Sequence, residues 1–243
     1  MTPPHLQPST VDAVRQGWSS RLRLGGHVWD APRTHLVERP DATAVVIVAL
    51  GDAVVVLGPG PALDRLSHLP SGHLLDLDRV VHLLGGLAPE PLGAATLAFA
   101  DRAVLPTALA GGSRAASCDD AEAVLGSCTE EERAESGLAD MPVRLVLDGP
   151  TGGPGALAGY EPWGGALAHL GVAVRPEQRR SGLAALLACA VAHHAVDASL
   201  VPQWRCGTGN LASAALRDRL GFVVLGRQLA VAVSAPPPAG LSM

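Results

Sequence analysis

Along this chain the apolar residues fall into short continuous runs, suited to buried strands, and into stretches of helical period. Thr43–Ala49 and Ala53–Leu57 are β-branched runs joined through Leu50-Gly51-Asp52, a hairpin signal that Pro59-Gly60-Pro61-Ala62 closes. Leu63–Leu69 and Leu75–Leu84 read as short helices and Ala94–Ala100 as a strand, so the first third is β-β-α-α-β. Residues 101–113 read as a linker ending in Ala110-Gly111-Gly112-Ser113, with a short strand near Arg114–Ala116. Asp119–Gly126 and Glu130–Ser136 follow as helices. Thr129 and three glutamates announce the second and put negative charge at the positive end of its dipole. Val143–Leu147, Ala156–Tyr160 and Ala166–Val174 are strands. Ser181–Val196 is a helix with an apolar stripe of Leu183, Leu186, Leu187, Ala190 and Val191. Leu200–Arg205 is a strand and Leu211–Leu220 a helix, with Gly221 as its C′ residue and Phe222 packing back. Val223–Leu225 and Leu229–Val233 complete the sheet.

The organisation this predicts is a mobile tail over residues 1–12, an α/β subdomain over 13–110, a mixed α/β domain over 111–235, and a tail over 236–243 opened by Pro236-Pro237-Pro238. The domain over 111–235 has the order α-α-β-β-β-α-β-α-β-β. No catalytic constellation stands out in the N-terminal subdomain.

Composition narrows the chemistry. Of 243 residues, 48% are hydrophobic and 17% charged, enough for a substantial core. Aromatics make up 3%, which leaves no stacking platform for single-stranded nucleic acid. The net charge is −5 with dispersed arginines, so no nucleic-acid partner is expected. All 18 basic residues are arginine, which excludes a P-loop lysine and a Schiff-base lysine. Cysteines at 118, 128, 189 and 206 form no CxxC pair and no zinc spacing. Cys189 and His193 lie one helical turn apart but read as a buried thiol beside a helix-surface histidine, so no metal is expected. The start MTPPHLQPST has no apolar signal region and no run reaches membrane-spanning length, so a cytoplasmic setting without a membrane partner is expected. Gly152-Gly153-Pro154-Gly155 does not follow a strand and open a helix as a dinucleotide site requires, and no Gly-x-Ser-x-Gly element is present.

One stretch does point to chemistry. In 171–185, GVAVRPEQRRSGLAA, the strand run Leu170–Val174 is broken by Pro176 and Glu177, and Arg179-x-x-Gly182-x-Ala184 leads straight into a helix. The first N–H groups of a helix have no partner within it, and its dipole adds partial positive charge there. Small residues let backbone approach a phosphate, and Arg179 and Arg180 add charge.

This stretch resembles the acyl-CoA-binding motif of the GCN5-related N-acetyltransferase superfamily, (Gln/Arg)-x-x-Gly-x-(Gly/Ala). A second piece agrees: Asn210-Leu-Ala-Ser213, leading to Leu220-Gly221-Phe222, is similar to that superfamily's Asn-x-x-(Ser/Ala)…Leu-Gly-Phe helix, and Asn210 is the only asparagine in the chain. The resemblance covers about residues 113–234. It implies a GNAT-like mixed central sheet flanked by helices (α/β, α+β), with the N-terminal α/β subdomain as an addition. That addition reads equally as a degenerate half of such a fold, a substrate-gating cap or a dimerisation element.

It also implies acetyl-CoA, or another acyl-CoA, as cofactor, and transfer of the acyl group to a small-molecule amine or a protein N-terminus by direct attack. Val172, Ala173 and Val174 would offer backbone groups to the pantetheine arm. Arg179, Arg180, Ser181 and Gly182, with Leu183, Ala184 and Ala185, would wrap the pyrophosphate. Asn210 would bond the arm or cap its own helix. Many members carry a tyrosine acid where this chain has Arg217, and a glutamate near the position of Arg205; an arginine cannot act as a base. Replacement bases are His169, on the strand facing the cleft, and Glu161, in the loop beside Tyr160 and Trp163. Trp163, Trp204, Arg205 and Arg217 are candidates for the acceptor pocket, the arginines suiting a carboxylate-bearing substrate. The missing acid–base pair leaves a second reading open, a non-catalytic acyl-CoA sensor or partner-binding module. A homodimer fits either.

Overall fold

The computed structural model describes residues 5–107, 112–150 and 152–234. In chain order they form α1 (Pro8–Leu22), β1 (Thr34–Glu38), β2 (Ala44–Leu50), β3 (Ala53–Gly58), α2 (Gly60–Leu66), α3 (Leu77–Leu83), β4 (Glu90–Phe99), β5 (Ser113–Ala115), α4 (Cys118–Leu125), α5 (Glu130–Ser136), β6 (Val143–Asp148), β7 (Pro154–Trp163), β8 (Leu167–Val174), α6 (Leu183–Asp197), β9 (Val201–Gly207), α7 (Leu211–Arg219) and β10 (Val223–Ala232). Part of the expected linker, residues 108–111, and the terminal Pro236-Pro237-Pro238 lie outside the described residues.

Contacts gather the chain into two compact units that interleave in sequence. The first takes the N-terminal segment to Leu24, Ala98–Arg205 and Asn210–Val224; the second takes Gly25–Leu97, Cys206–Gly209 and the chain from Leu225 on. The first unit holds α1, and its helix starts at Pro8, inside the segment expected to be a tail. Pro8 presets a helical φ in the first turn, where its missing N–H costs nothing. Asp101 then anchors the start, accepting from the Gln7 N–H at 2.9 Å and the Thr10 hydroxyl at 3.0 Å. Val14 and Trp18, four residues apart on one face, are fully buried.

Strands of the first unit run in the order β9-β8-β7-β6-β5. All neighbouring pairs are antiparallel except β8 and β9. The β7–β8 hairpin runs in register from Ala156↔Val174 to Trp163↔Leu167, and Gly164 and Gly165 turn it at φ +56° and +74°. A parallel β8–β9 pair needs a crossover, and α6 supplies it, packing on β6, β7 and β8. The side-chain period of two sorts the faces. Val146, Leu157 and Ala173 meet Ala121, Val124, Leu125, Leu138 and Met141 in one cluster around α4, while Tyr160 faces α6 through His194. The α4 start is fixed by a capping box, Ser117 with Asp120, and Arg114 clamps the same carboxylate with two bonds of 2.6 and 2.8 Å.

The second unit carries the order β1-β3-β2-β10-β4. The expected hairpin is β2–β3, closed as Leu50↔Ala53 with Gly51 at φ +58°. A strand the pattern did not show, β1, pairs parallel with β3. The last two expected strands are one, β10, which runs beside β2 from Gly226↔Leu50 to Ala232↔Ala44. Val45, Ile47, Val56, Leu66, Leu74, Val80, Leu84 and Leu229, all at most 1% exposed, form its core with α2 and α3.

Candidate active site

The cleft begins where a ladder ends. Pairing between β8 and β9 runs from Leu167↔Val201 to His169↔Gln203 and stops. Beyond it Leu170–Val174 on one side and Trp204 and Arg205 on the other line a cleft of about 540 Å³, with α5, the loop 178–182 and α7 around it. Val172, Ala173 and Val174 thus border an open space with a backbone edge that no longer pairs with β9.

The loop is built by its backbone. Pro176–Gln178 make one 3-10 turn, Arg179 is extended, Arg180 turns at φ +63° and Gly182 at φ +88°. Ser181 is spent inside the loop, its hydroxyl donating to the Gln178 carbonyl at 2.5 Å, and it does not line the cleft. α6 then starts at Leu183 with no side-chain cap, and its first backbone bond runs from the Leu186 N–H to the Gly182 carbonyl at 3.1 Å. The N–H groups of Leu183, Ala184 and Ala185 therefore have no partner within the helix, and these residues line the cleft. A Cβ built on Gly182 meets nothing within 4 Å, so the space before the helix is open. Arg180 lines this space and forms no ion pair among the described residues. Such a cradle fits the pyrophosphate of acyl-CoA.

Arg179 is held elsewhere. Its guanidinium pairs with Glu132 of α5 at 2.8 Å, and its Nε donates to the Val174 carbonyl at 3.3 Å. Arg179 and the Thr129 backbone N–H together hold the Glu132 carboxyl below the usual carboxylate range. Asn210 caps α7, accepting from the Ser213 N–H at 2.9 Å; its amide nitrogen donates to Glu135 of α5 at 2.8 Å. Glu132 and Glu135 were not legible as site residues. They lie in the acidic run 130–136, which reads as a helix start, although a spacing of three does put both on one helix face. Trp204 lines the cleft with its indole N–H bonded to the Ser213 hydroxyl at 3.0 Å and its ring edge-on to Phe222.

Several candidates are not brought to the cleft. Arg217 is 8% exposed and pairs with Asp218 at 2.8 Å; Leu216 and Arg219 line the cleft instead, because α7 turns that face inward. Trp163 is in a ring stack, edge-on to Trp18, parallel to His169 at 4.9 Å and beneath the Arg21 guanidinium at 4.5 Å. Glu161 is exposed on β7 as the register partner of His169, away from the cleft lining. Tyr160 bonds His194 at 3.1 Å and faces α6.

His169 sits at the last rung and lines none of the cleft. An indole N–H only donates, so the Trp18 bond at 3.0 Å fixes the Gln203 carbonyl oxygen toward it. The Gln203 amide nitrogen then faces His169 Nδ1 at 3.3 Å and donates to it. The proton of the neutral ring is therefore on Nε2, and its only lone pair is already used. Burial, then the charges of Arg205 and Arg21, push its pKa down to about 4. This is a poor arrangement for a general base.

Cys189 and His193 both bond the Pro106 carbonyl, at 3.5 and 2.9 Å, and no cluster that could hold a metal occurs among the described residues. No helix among them is long and apolar enough to cross a membrane.

Comparison with known proteins agrees with this geometry. Residues 164–227 match the family model described as GNAT acetyltransferase. None of the curated proteins compared matches the chain. A GCN5-related N-acetyltransferase from Kribbella flavida is similar over 97% of this chain and 98% of its own, at 14% identity and a TM-score of 0.53. An acetyltransferase of the GNAT family from Colwellia psychrerythraea is similar over 65% of this chain and 62% of its own, at 16% identity and a TM-score of 0.47. At 14% identity the likeness to the Kribbella protein is one of fold: a mixed α/β chain with a mostly antiparallel sheet flanked by helices. The matched segment spans β8, the loop, α6, β9 and α7, so most of the part of the chain that builds the cleft is similar to the GNAT acetyltransferase family model, and the chain shares the fold of the Kribbella acetyltransferase.

Proposed function

We propose that the protein is an acyl-CoA-dependent N-acyltransferase that moves an acetyl group to a primary amine by direct attack. One observation carries this reading: the uncapped N-terminus of α6, with Gly182 and Arg180 before it, opens onto the gap where β8 and β9 part.

When bound, acetyl-CoA supplies an activated thioester carbonyl. The N–H groups of Leu183, Ala184 and Ala185 and the Arg180 guanidinium hold the phosphates. The free edge of Val172–Val174 takes the amide groups of the pantetheine arm as an added strand would be taken. Gly171 and Arg205, which line the cleft just past the last β8–β9 rung, would then be the residues nearest the thioester. Arg205 stays protonated there and favours negative charge developing on the leaving sulfur. The acceptor is a small amine or a protein N-terminus.

The test is calorimetric titration of acetyl-CoA, with thiol release followed on a panel of amines. Saturable binding with turnover on an amine supports the transferase. Binding without turnover on any supports the sensor reading, which the arginines at 205 and 217 also favour. Absence of binding overturns the assignment of the loop.

A further inference from the structure

We infer that Glu135 is the proton acceptor for the attacking amine; this rests on the transferase reading above. Among the cleft-lining residues, Glu132 and Glu135 are the carboxylates and no histidine is present. Glu132 is committed to Arg179 and to the cap of its own helix. Glu135 lines the cleft, and one of its oxygens accepts from the Asn210 amide nitrogen at 2.8 Å.

Three relationships put Glu135 near the vertex of the gap. The next residue, Ser136, lies so close to β8 that a Cβ on Gly171 would come within 2.1 Å of its carbonyl oxygen. Asn210 ties Glu135 to the start of α7. Its charge reaches Arg205, two residues past the last β8–β9 rung. Glu135 therefore lines the cleft near the level where the strands separate. Its orientation is fixed as well. The Ser213 N–H only donates, so Asn210 must turn its oxygen to Ser213 and its nitrogen to Glu135.

The step balances without a further reactant. The amine nitrogen bonds the acyl carbon and the carbon–sulfur bond breaks with its electron pair on sulfur. The N–H proton passes to Glu135 and from there to the thiolate, leaving an amide and free CoA.

The experiment compares wild type with Glu135→Gln, whose amide oxygen can still accept from Asn210, and with Glu135→Asp. Acetyl-CoA affinity by calorimetry should be the same within about twofold in all three, which shows that the fold and cradle persist. With any amine the wild type acylates, Glu135→Gln should lose about 10²–10⁴-fold in kcat. Its residual kcat/KM should rise about tenfold per pH unit, as hydroxide replaces the lost base, against a flatter wild-type profile, and Glu135→Asp should recover part of the loss. In the non-reacting complex with CoA, the same amine should bind Glu135→Gln about tenfold more weakly. Unchanged kcat and an unchanged pH profile in Glu135→Gln overturn the assignment while the transferase stands. Wild type that binds acetyl-CoA but acylates none of glycine amide, tyramine, spermidine or an alanine-led tripeptide also overturns it. Failure to bind acetyl-CoA overturns the reading of the cleft and this assignment with it.

Discussion

Glu132 of α5 pairs at 2.8 Å with Arg179 of the loop that precedes α6, so an acidic side chain stands beside the anion cradle. Both partners are part-exposed, and such pairs are worth roughly 0–1 kcal/mol. Glu132→Gln removes the charge and keeps the capping box with Thr129. Acetyl-CoA should then bind about two- to fivefold tighter by calorimetry, because Arg179 becomes free to turn to the phosphates. Unchanged or weaker binding would show that Arg179 serves the loop's own structure.

Gly182→Val should fold and lose acetyl-CoA affinity by about tenfold or more, since each charge-assisted N–H bond displaced is worth about 1.5–3 kcal/mol. The open space before α6 would hold a side chain in place of a phosphate. The φ of +88° adds a conformational cost of about 1–2 kcal/mol, to be read separately by denaturant titration. Retained affinity in a folded variant would remove the loop from the site.

His169 makes stability depend on acidity. Its folded pKa of about 4 lies below the unfolded value of roughly 6.5, so between those pH values the unfolded chain binds the extra proton. The stabilisation is complete above about pH 6.5 and is lost, by about 3 kcal/mol at most, as pH falls through 4. Denaturant midpoints at pH 7.5 and 4.5 should differ more for wild type than for His169→Gln. Imidazole nitrogen spectra at neutral pH should show the Nε2–H tautomer; the other tautomer would break the Trp18–Gln203–His169 chain of bonds.

Gly171→Ala should destabilise by about 1–3 kcal/mol in denaturant titration, because its Cβ would press on the Ser136 carbonyl and the Met141 methyl. If α5 gives way, the Glu135–Asn210 bond lengthens too, and transfer falls together with stability. A wild-type midpoint would mean that α5 moves aside at little cost.

The loop and α6 were legible because their signals are local: a strand breaker, small residues and a helical stripe within fifteen positions. α1 was missed altogether, because its opening proline and polar residues look like a tail until Asp101, distant in sequence, is known to hold them. Residues 226–228 fell between two expected strands, and Gly226 is among them. It is a packing glycine inside β10, whose Cβ would meet the Ala49 carbonyl at 2.2 Å. The alternation of β8 could not show where pairing with β9 ends, so His169 was placed at a cleft that opens one residue later. Glu135 was hidden for a related reason: its place depends on Gly171 and Asn210, which only the folded chain brings near.

The early end of the β8–β9 ladder leaves an inward-facing strand edge in a protein of many strands. Edges on the outside invite other chains to add to them. This one is recessed beside α5, which packs on β8, and so it sorts visitors by cross-section. A slender chain of amides without side chains would make a smaller steric demand on such a slot than a polypeptide strand, whose substituents stand on both faces.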